Sequence, residues 1–143
     1  MNLVDANLLL YAYDSCNPRH GQARAWLEHL LSQDEPVWLC WPVVLAFLRI
    51  STNSRLLDQP LDPEEAFAIV DSWLERDNVA WVGPGPGHWA VLKKVIREGQ
   101  ARGPLVSDAH LAALALEHGA TLLSSDLDFA RFSGLSYTNP LTT

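Results

Sequence analysis

The sequence predicts a mostly parallel α/β fold, its sheet covered by helices on both faces. Two observations carry this. Short apolar runs alternate with longer segments whose apolar residues recur at helical spacing, the pattern of strand–helix–strand units. Aspartates stand at or just beyond the ends of several of those runs, where open α/β sheets present side chains to a ligand crevice. At 143 residues and 48% hydrophobic, the chain fits one domain, residues 1–143, with a full core.

Taken in order, residues 2–5 read as a buried strand, and Ala6 to Tyr13 opens a helix directly after Asp5. Ala23, Trp26, Leu27, Leu30 and Leu31 form a helical stripe over 19–33, stopped by Asp34-Glu35-Pro36. Val37 to Cys40 is a second strand. Pro42 suits the first turn of the next helix, which runs to about Thr52. Asp62-Pro63-Glu64-Glu65 is a capping box opening a helix over 63–76. Val79 to Val82 is a strand, and Gly83-Pro84-Gly85-Pro86-Gly87 is a rigid loop that lacks a phosphate-cradling pattern. Helices follow over 88–101 and 107–118, the second capped by Ser107 or Asp108 and stopped by Gly119. Strands at 121–124 and 135–138 complete the set, and these late strands must return beside the first.

Net charge is −7, which argues against a surface built for nonspecific nucleic-acid binding. The argument weakens if several acids are metal ligands, since a bound cation reverses the local field. No apolar run reaches the roughly 18 residues of a membrane span. The N-terminal Met-Asn-Leu-Val-Asp has no basic signal-peptide region, and Cys16 and Cys40 form no close pair. A reduced, cytoplasmic setting with no membrane is expected.

Four acids are the candidate catalytic residues: Asp5, Asp108, Asp126 and Asp128. Carboxylates converging in a low dielectric repel, and a divalent cation is the usual relief; Mg²⁺ and Mn²⁺ prefer such oxygen ligands. Asp5, followed at once by an apolar run, is costly to bury without a partner. Asp108 also fits a helix N-cap, and Asp126-Leu127-Asp128 an Asx turn. Asn7 could orient Asp5, hold a metal-bound water or cap the helix. Ser124 and Ser125 could donate hydrogen bonds at the site.

These residues resemble, in order and spacing, the PIN-domain ribonucleases, and more closely the VapC-type toxins of toxin–antitoxin pairs. The matching segments are Leu3-Val4-Asp5-Ala6-Asn7-Leu8-Leu9, Phe47-Leu48-Arg49-Ile50-Ser51-Thr52-Asn53, Val106-Ser107-Asp108-Ala109-His110-Leu111 through Ala115, and Ser124-Ser125-Asp126-Leu127-Asp128-Phe129. Each is weak alone; together they are specific. The resemblance implies an α/β/α sandwich whose Asp5, Asp108 and Asp126 bind Mg²⁺ or Mn²⁺ and direct a water at an RNA phosphodiester, with Asp128 a less constant fourth acid. It also implies a homodimer and a cognate antitoxin protein inserted into the acidic cleft. One departure stands out. Many members carry a glutamate before Phe47-Leu48-Arg49, but Val44 or Ala46 occupies that place here.

Arg49 is a candidate for an RNA phosphate or for a plain salt bridge. Lys93, Lys94, Arg97, Arg102, Arg19, Arg24 and Arg55 are further cations for substrate or solvent. Trp26 and Trp73 fit core stripes, whereas Trp38, Trp41, Trp81 and Trp89 suit core, interface or base stacking alike. The five histidines show no metal-ligand pairing and read as structural or surface groups. A binding module that no longer cuts is the alternative function. An aspartyl phosphatase ranks low, because the first strand carries one acid and no lysine stands at a strand end.

Overall fold

The first strand, Asn2–Val4 (β1), is three residues long and needs a neighbour on each side. It finds Val37–Leu39 (β2) on one side and Thr121–Leu123 (β4) on the other, both parallel. Val79–Trp81 (β3) pairs with β2 and Tyr137–Thr138 (β5) with β4, giving a five-stranded parallel sheet in the order β3-β2-β1-β4-β5. This computed structural model describes residues 1–141.

The chain steps outward from β1 to β2 to β3, then jumps across β1 to β4. Right-handed crossovers therefore place the helices of the two halves on opposite faces. Ala6–Tyr13 (α1), His20–Leu31 (α2), Trp41–Ser51 (α3) and Pro63–Leu74 (α4) make one packed group. His88–Gly99 (α5) and Leu105–His118 (α6) pack together as the other. The reversal falls between β1 and β4. At such a switch point the loops leave the sheet edge in opposite directions and open a crevice.

Each helix buries a stripe. Leu8, Leu9 and Ala12 of α1 meet Ala23, Leu27 and Leu30 of α2 and Val43, Val44 and Phe47 of α3 in a continuous core. Ala109 and Leu111 to Ala115 are buried along α6. In α4, Trp73 is buried and its indole N–H donates to Tyr13 Oη at 3.0 Å. Trp26, expected in the core, is only partly buried at its margin. The capping box at Asp62 is present, with Glu65 Oε1 accepting from the Asp62 N–H at 3.1 Å.

Several boundaries move. The helix expected over 107–118 begins at Leu105, so neither Ser107 nor Asp108 caps it. Gly103 turns the chain in the left-handed region (φ +56°), and Pro104 already has helical dihedrals. Asp108 is thereby left in the first turn, free of capping duty. α5 ends at Gly99 rather than 101, because Gln100 adopts a left-handed conformation that lets the Ala101 N–H reach Ile96 O at 3.0 Å. Cys40 leaves the β2 ladder and becomes the residue before α3. Among the described residues no helix is long and apolar enough to cross a membrane.

Candidate active site

Asp5 and Asp126 follow the two strands that flank the switch point. The Asp5 N–H donates to Leu123 O at 2.9 Å, extending the β1–β4 ladder by one bond. Its Oδ1 accepts from the Ala6 N–H at 2.8 Å, so Asp5 also caps α1. Its Oδ2 accepts from Ser124 Oγ at 2.7 Å. The same fully buried hydroxyl accepts from the Asp126 N–H at 3.0 Å. Asp126 Oδ1 in turn accepts from the Asp128 N–H at 2.9 Å and starts a short 3-10 helix, Leu127–Arg131. The Asx turn is thus real, and it spaces the two acids.

Carboxylate oxygens of Asp108, Asp126 and Asp128 lie within 4.8 Å of one another. Asp108 comes from α6 and the other two from the turn after β4. Asp5 stands outside that trio, and its carboxyl pKa is raised, chiefly by burial; the Ser124 and Ala6 hydrogen bonds oppose this and the charge of Asp126 adds to it. Asp108 is pushed up to about 6, first by burial and then by the charges of Asp126, Asp5 and Asp128, with Arg131 opposing. Two acids held against ionisation chiefly by burial, Asp5 and Asp108, mark a site arranged for something other than stability.

A cleft of about 390 Å³ opens beside these acids, lined by Asp5 and Asp108 and, on its α3 wall, by Pro42, Val43, Leu45, Ala46 and Arg49. Ala46 faces the cleft, whereas Val44 is buried. Ala46 therefore marks where that wall lacks an acid. Arg49 is exposed and makes no ion pair among the described residues. Asn7 has a buried Oδ1 without a hydrogen-bond partner among the described residues. Ser125 turns the other way, its hydroxyl donating to Tyr11 Oη at 3.5 Å. A larger hollow of about 470 Å³, between the ends of α2 and α4, is lined by Asp34, Glu75 and Asp77, but among the described residues these form no group with metal-ligand spacing. Buried Cys40 is held as a thiol, its pKa raised to about 11 mainly by burial.

Lys93, Lys94, Arg97, Arg102, Arg19, Arg24 and Arg55 are all exposed, and Arg24 is paired with Glu28 at 2.9 Å. Trp41 and Trp81 are exposed and stacked on each other, centroids 4.2 Å apart. Trp38 packs edge-on against His118, and Trp89 is exposed beneath Lys93. Two groupings escaped the sequence reading. His88 Nδ1 meets Glu117 Oε2 at 2.6 Å while its Nε2 meets His110 Nδ1 at 3.0 Å, tying α5 to α6. The i, i+7 spacing of His110 and Glu117 on one helix was the available signal. Arg131, the counter-charge near Asp108, had none.

The PIN domain family model matches residues 3–135. VapC ribonuclease Mb2897 of Mycobacterium bovis is 39% identical over 141 residues, which cover 99% of this chain and 96% of that one. Ribonuclease VapC37 of Mycobacterium tuberculosis is 39% identical over 140 residues, 98% of this chain and 97% of its own. Among solved structures, VapBC2 from Rickettsia felis, bound to a DNA fragment from its promoter, superposes with a TM-score of 0.70 at 17% identity, covering 96% of this chain and 97% of that one. The Mycobacterium tuberculosis toxin VapC20, described as cleaving the sarcin–ricin loop, gives 0.66 at 18% identity, covering 94% and 96%. A parallel sheet flanked by helices is the fold that this chain shares with these solved structures. The chain belongs to the PIN-domain family and, within it, to the VapC ribonucleases.

Proposed function

We propose that this protein is a divalent-cation-dependent endoribonuclease and the toxin of a toxin–antitoxin pair. The observation that carries the reading is the meeting of Asp108, Asp126 and Asp128 within 4.8 Å, beside an Asp5 held by Ser124. The donor set fits Mg²⁺ or Mn²⁺: it is all oxygen, rich in charge, and open to water or phosphate on one side. Asp5, Asp108 and Asp126 would hold the cation. Bound there, it would lower the pKa of an attacking water and offset charge on the phosphoryl oxygens.

The chain's own groups do the rest. Ser124 orients Asp5 through its hydroxyl and Asp126 through that residue's backbone. Asp128, the exposed acid of the cluster, accepts the water's proton on a carboxylate oxygen. Arg49, on the cleft wall and without an ion pair among the described residues, takes a phosphate of the RNA backbone. Ser125 contributes to the fold through Tyr11 and only indirectly to substrate. The acidic cleft and the net charge of −7 suit an antitoxin that inserts a basic side chain between the carboxylates. A homodimer and a cytoplasmic setting accompany the reading by family resemblance.

A second reading, a module that binds RNA or protein without cutting, is favoured by Ala46, which leaves the α3 wall apolar. One experiment separates the two: cleavage of total cellular RNA by partner-free protein in Mg²⁺, Mn²⁺ or EDTA, with Asp5→Ala alongside. Discrete fragments that need the cation and vanish in the variant are expected. No fragments, together with no cation binding by calorimetry, would give the binding module the lead.

A further inference from the structure

We propose that Arg131 is a second phosphate-binding residue, beside the acidic cluster rather than on the cleft wall, gripping the RNA backbone on the β4 side of Asp5 while Arg49 serves it from the α3 wall. The inference rests on the nuclease reading and names how its substrate is held. Arg131 ends the 3-10 helix that begins with Asp126 and Asp128, so its backbone is fixed by the site's own turn. Its side chain does not fold onto those acids. No ion pair to Arg131 forms among the described residues; instead its Nη1 donates to Gly99 O at 3.1 Å, the end of α5.

That contact depends on an unusually close approach. A Cβ at Gly99 would lie 2.7 Å from Cδ1 and Cε1 of Phe132 and 3.7 Å from Arg131 Cγ. The glycine lets the last turn of α5 press onto the 3-10 helix and offer an unpaired terminal carbonyl as an anchor. A guanidinium carries five donors, so most remain for a second acceptor. The side chain is exposed, and its charge is felt at Asp108, where it opposes the neighbouring acids. An acidic protein that must admit a polyanion needs cations beside its acids, and a tethered guanidinium costs little entropy to engage.

Strand order sets the geometry. Arg49 lies on α3, which follows β2, and Arg131 follows β4; β1 with Asp5 runs between them. A single strand lying across the acids would then have Arg49 on the α3 side of Asp5 and Arg131 on the β4 side.

The test uses the full chain and a short labelled single-stranded RNA, followed by anisotropy in Ca²⁺ across a salt series, with melting temperatures measured in parallel. Arg131→Ala should weaken binding about tenfold and reduce the slope of log K against log salt by about 0.7. Arg131→Lys should restore the slope, and Arg131→Gln should not. A lower melting temperature in Arg131→Ala with unchanged affinity and slope would overturn the proposal and leave Arg131 as a tie for α5. If the wild type cuts total RNA while Arg131→Ala binds as well as it does, only this inference falls. If the wild type neither binds nor cuts, the nuclease reading falls with it.

Discussion

Ser124 shows how much of the site hangs on a single side chain. Its hydroxyl is fully buried, donates to the Asp5 carboxylate at 2.7 Å and accepts from the Asp126 backbone at 3.0 Å. It follows Leu123, the last residue of β4, with its N–H still bonded to Thr138 O at 3.1 Å, at the point where the two central strands hand over to the site. A buried hydrogen bond to a charged group contributes about 1.5–3 kcal/mol, and its loss leaves the carboxylate less solvated still. Ser124→Ala should therefore lower stability by about 2 kcal/mol. It should also raise the Asp5 pKa further, because the Ser124 bond is the largest influence now opposing burial. Cleavage should fall more than stability accounts for, since both acids lose their register together. Urea denaturation and a cleavage rate on the same preparation check both parts. A variant that is destabilised but cuts at the wild-type rate would mean that backbone geometry alone positions Asp5 and Asp126.

At the scale of elements, Gly99 at the end of α5 meets Phe132, just after the 3-10 helix, with no room for a side chain. Replacing a helical glycine with alanine normally stabilises by up to about 1 kcal/mol. At Gly99 the sign should reverse. The new methyl would meet the ring of Phe132, which is 4% exposed and has little room to yield. Gly99→Ala should cost about 1–3 kcal/mol by overpacking, measured by thermal or chemical unfolding; a stabilised variant would show that the ring moves aside freely. This join also marks the limit of sequence reasoning. Alternating strands and helices, the capping box at Asp62 and the acids after β1 and β4 are local patterns, and each was legible. The tie between Arg131 and Gly99 spans 32 residues, and no spacing announces it. The line from Glu117 through His88 to His110 exists because α5 and α6 pack as a hairpin; the i, i+7 spacing of His110 and Glu117 shows only that those two share a face of α6. The start of α6 was misplaced for a local reason. Ser107 and Asp108 look like caps, but the left-handed Gly103 and the fixed dihedral of Pro104 begin the helix earlier. That shift turns Asp108 from a cap into a member of the acidic trio.

For the whole molecule, the parallel sheet gathers acids at the price of mutual repulsion, and the balance should appear in its pH dependence. The Asp108 carboxyl is raised from an ordinary 3.8 to about 6, and Asp5 moves in the same direction. Between those values the native protein holds a proton more firmly than the unfolded chain does. Stability from these groups therefore falls as pH rises from about 4 to about 6, and the full cost of ionisation is present above that window. A cation that binds the ionised acids acts in the opposite sense. It competes with the proton below pH 6, binds well above it, and adds about 2.7 kcal/mol at a concentration one hundred times its Kd. The metal-free protein should thus melt at lower temperature at pH 7 than these acids alone would allow at pH 5. The gain in melting temperature on adding Mn²⁺ should widen across the same interval, and the cleavage rate should rise with it. Melting curves at a series of pH values, with Mn²⁺ and with EDTA, read both effects from one set of samples. A gain independent of pH would place the cation away from Asp108. No gain at any pH would mean that an acidic cluster with Ala46 on its open wall no longer gathers enough charge to hold a metal, and that the repulsion is relieved instead by a basic side chain from a partner protein.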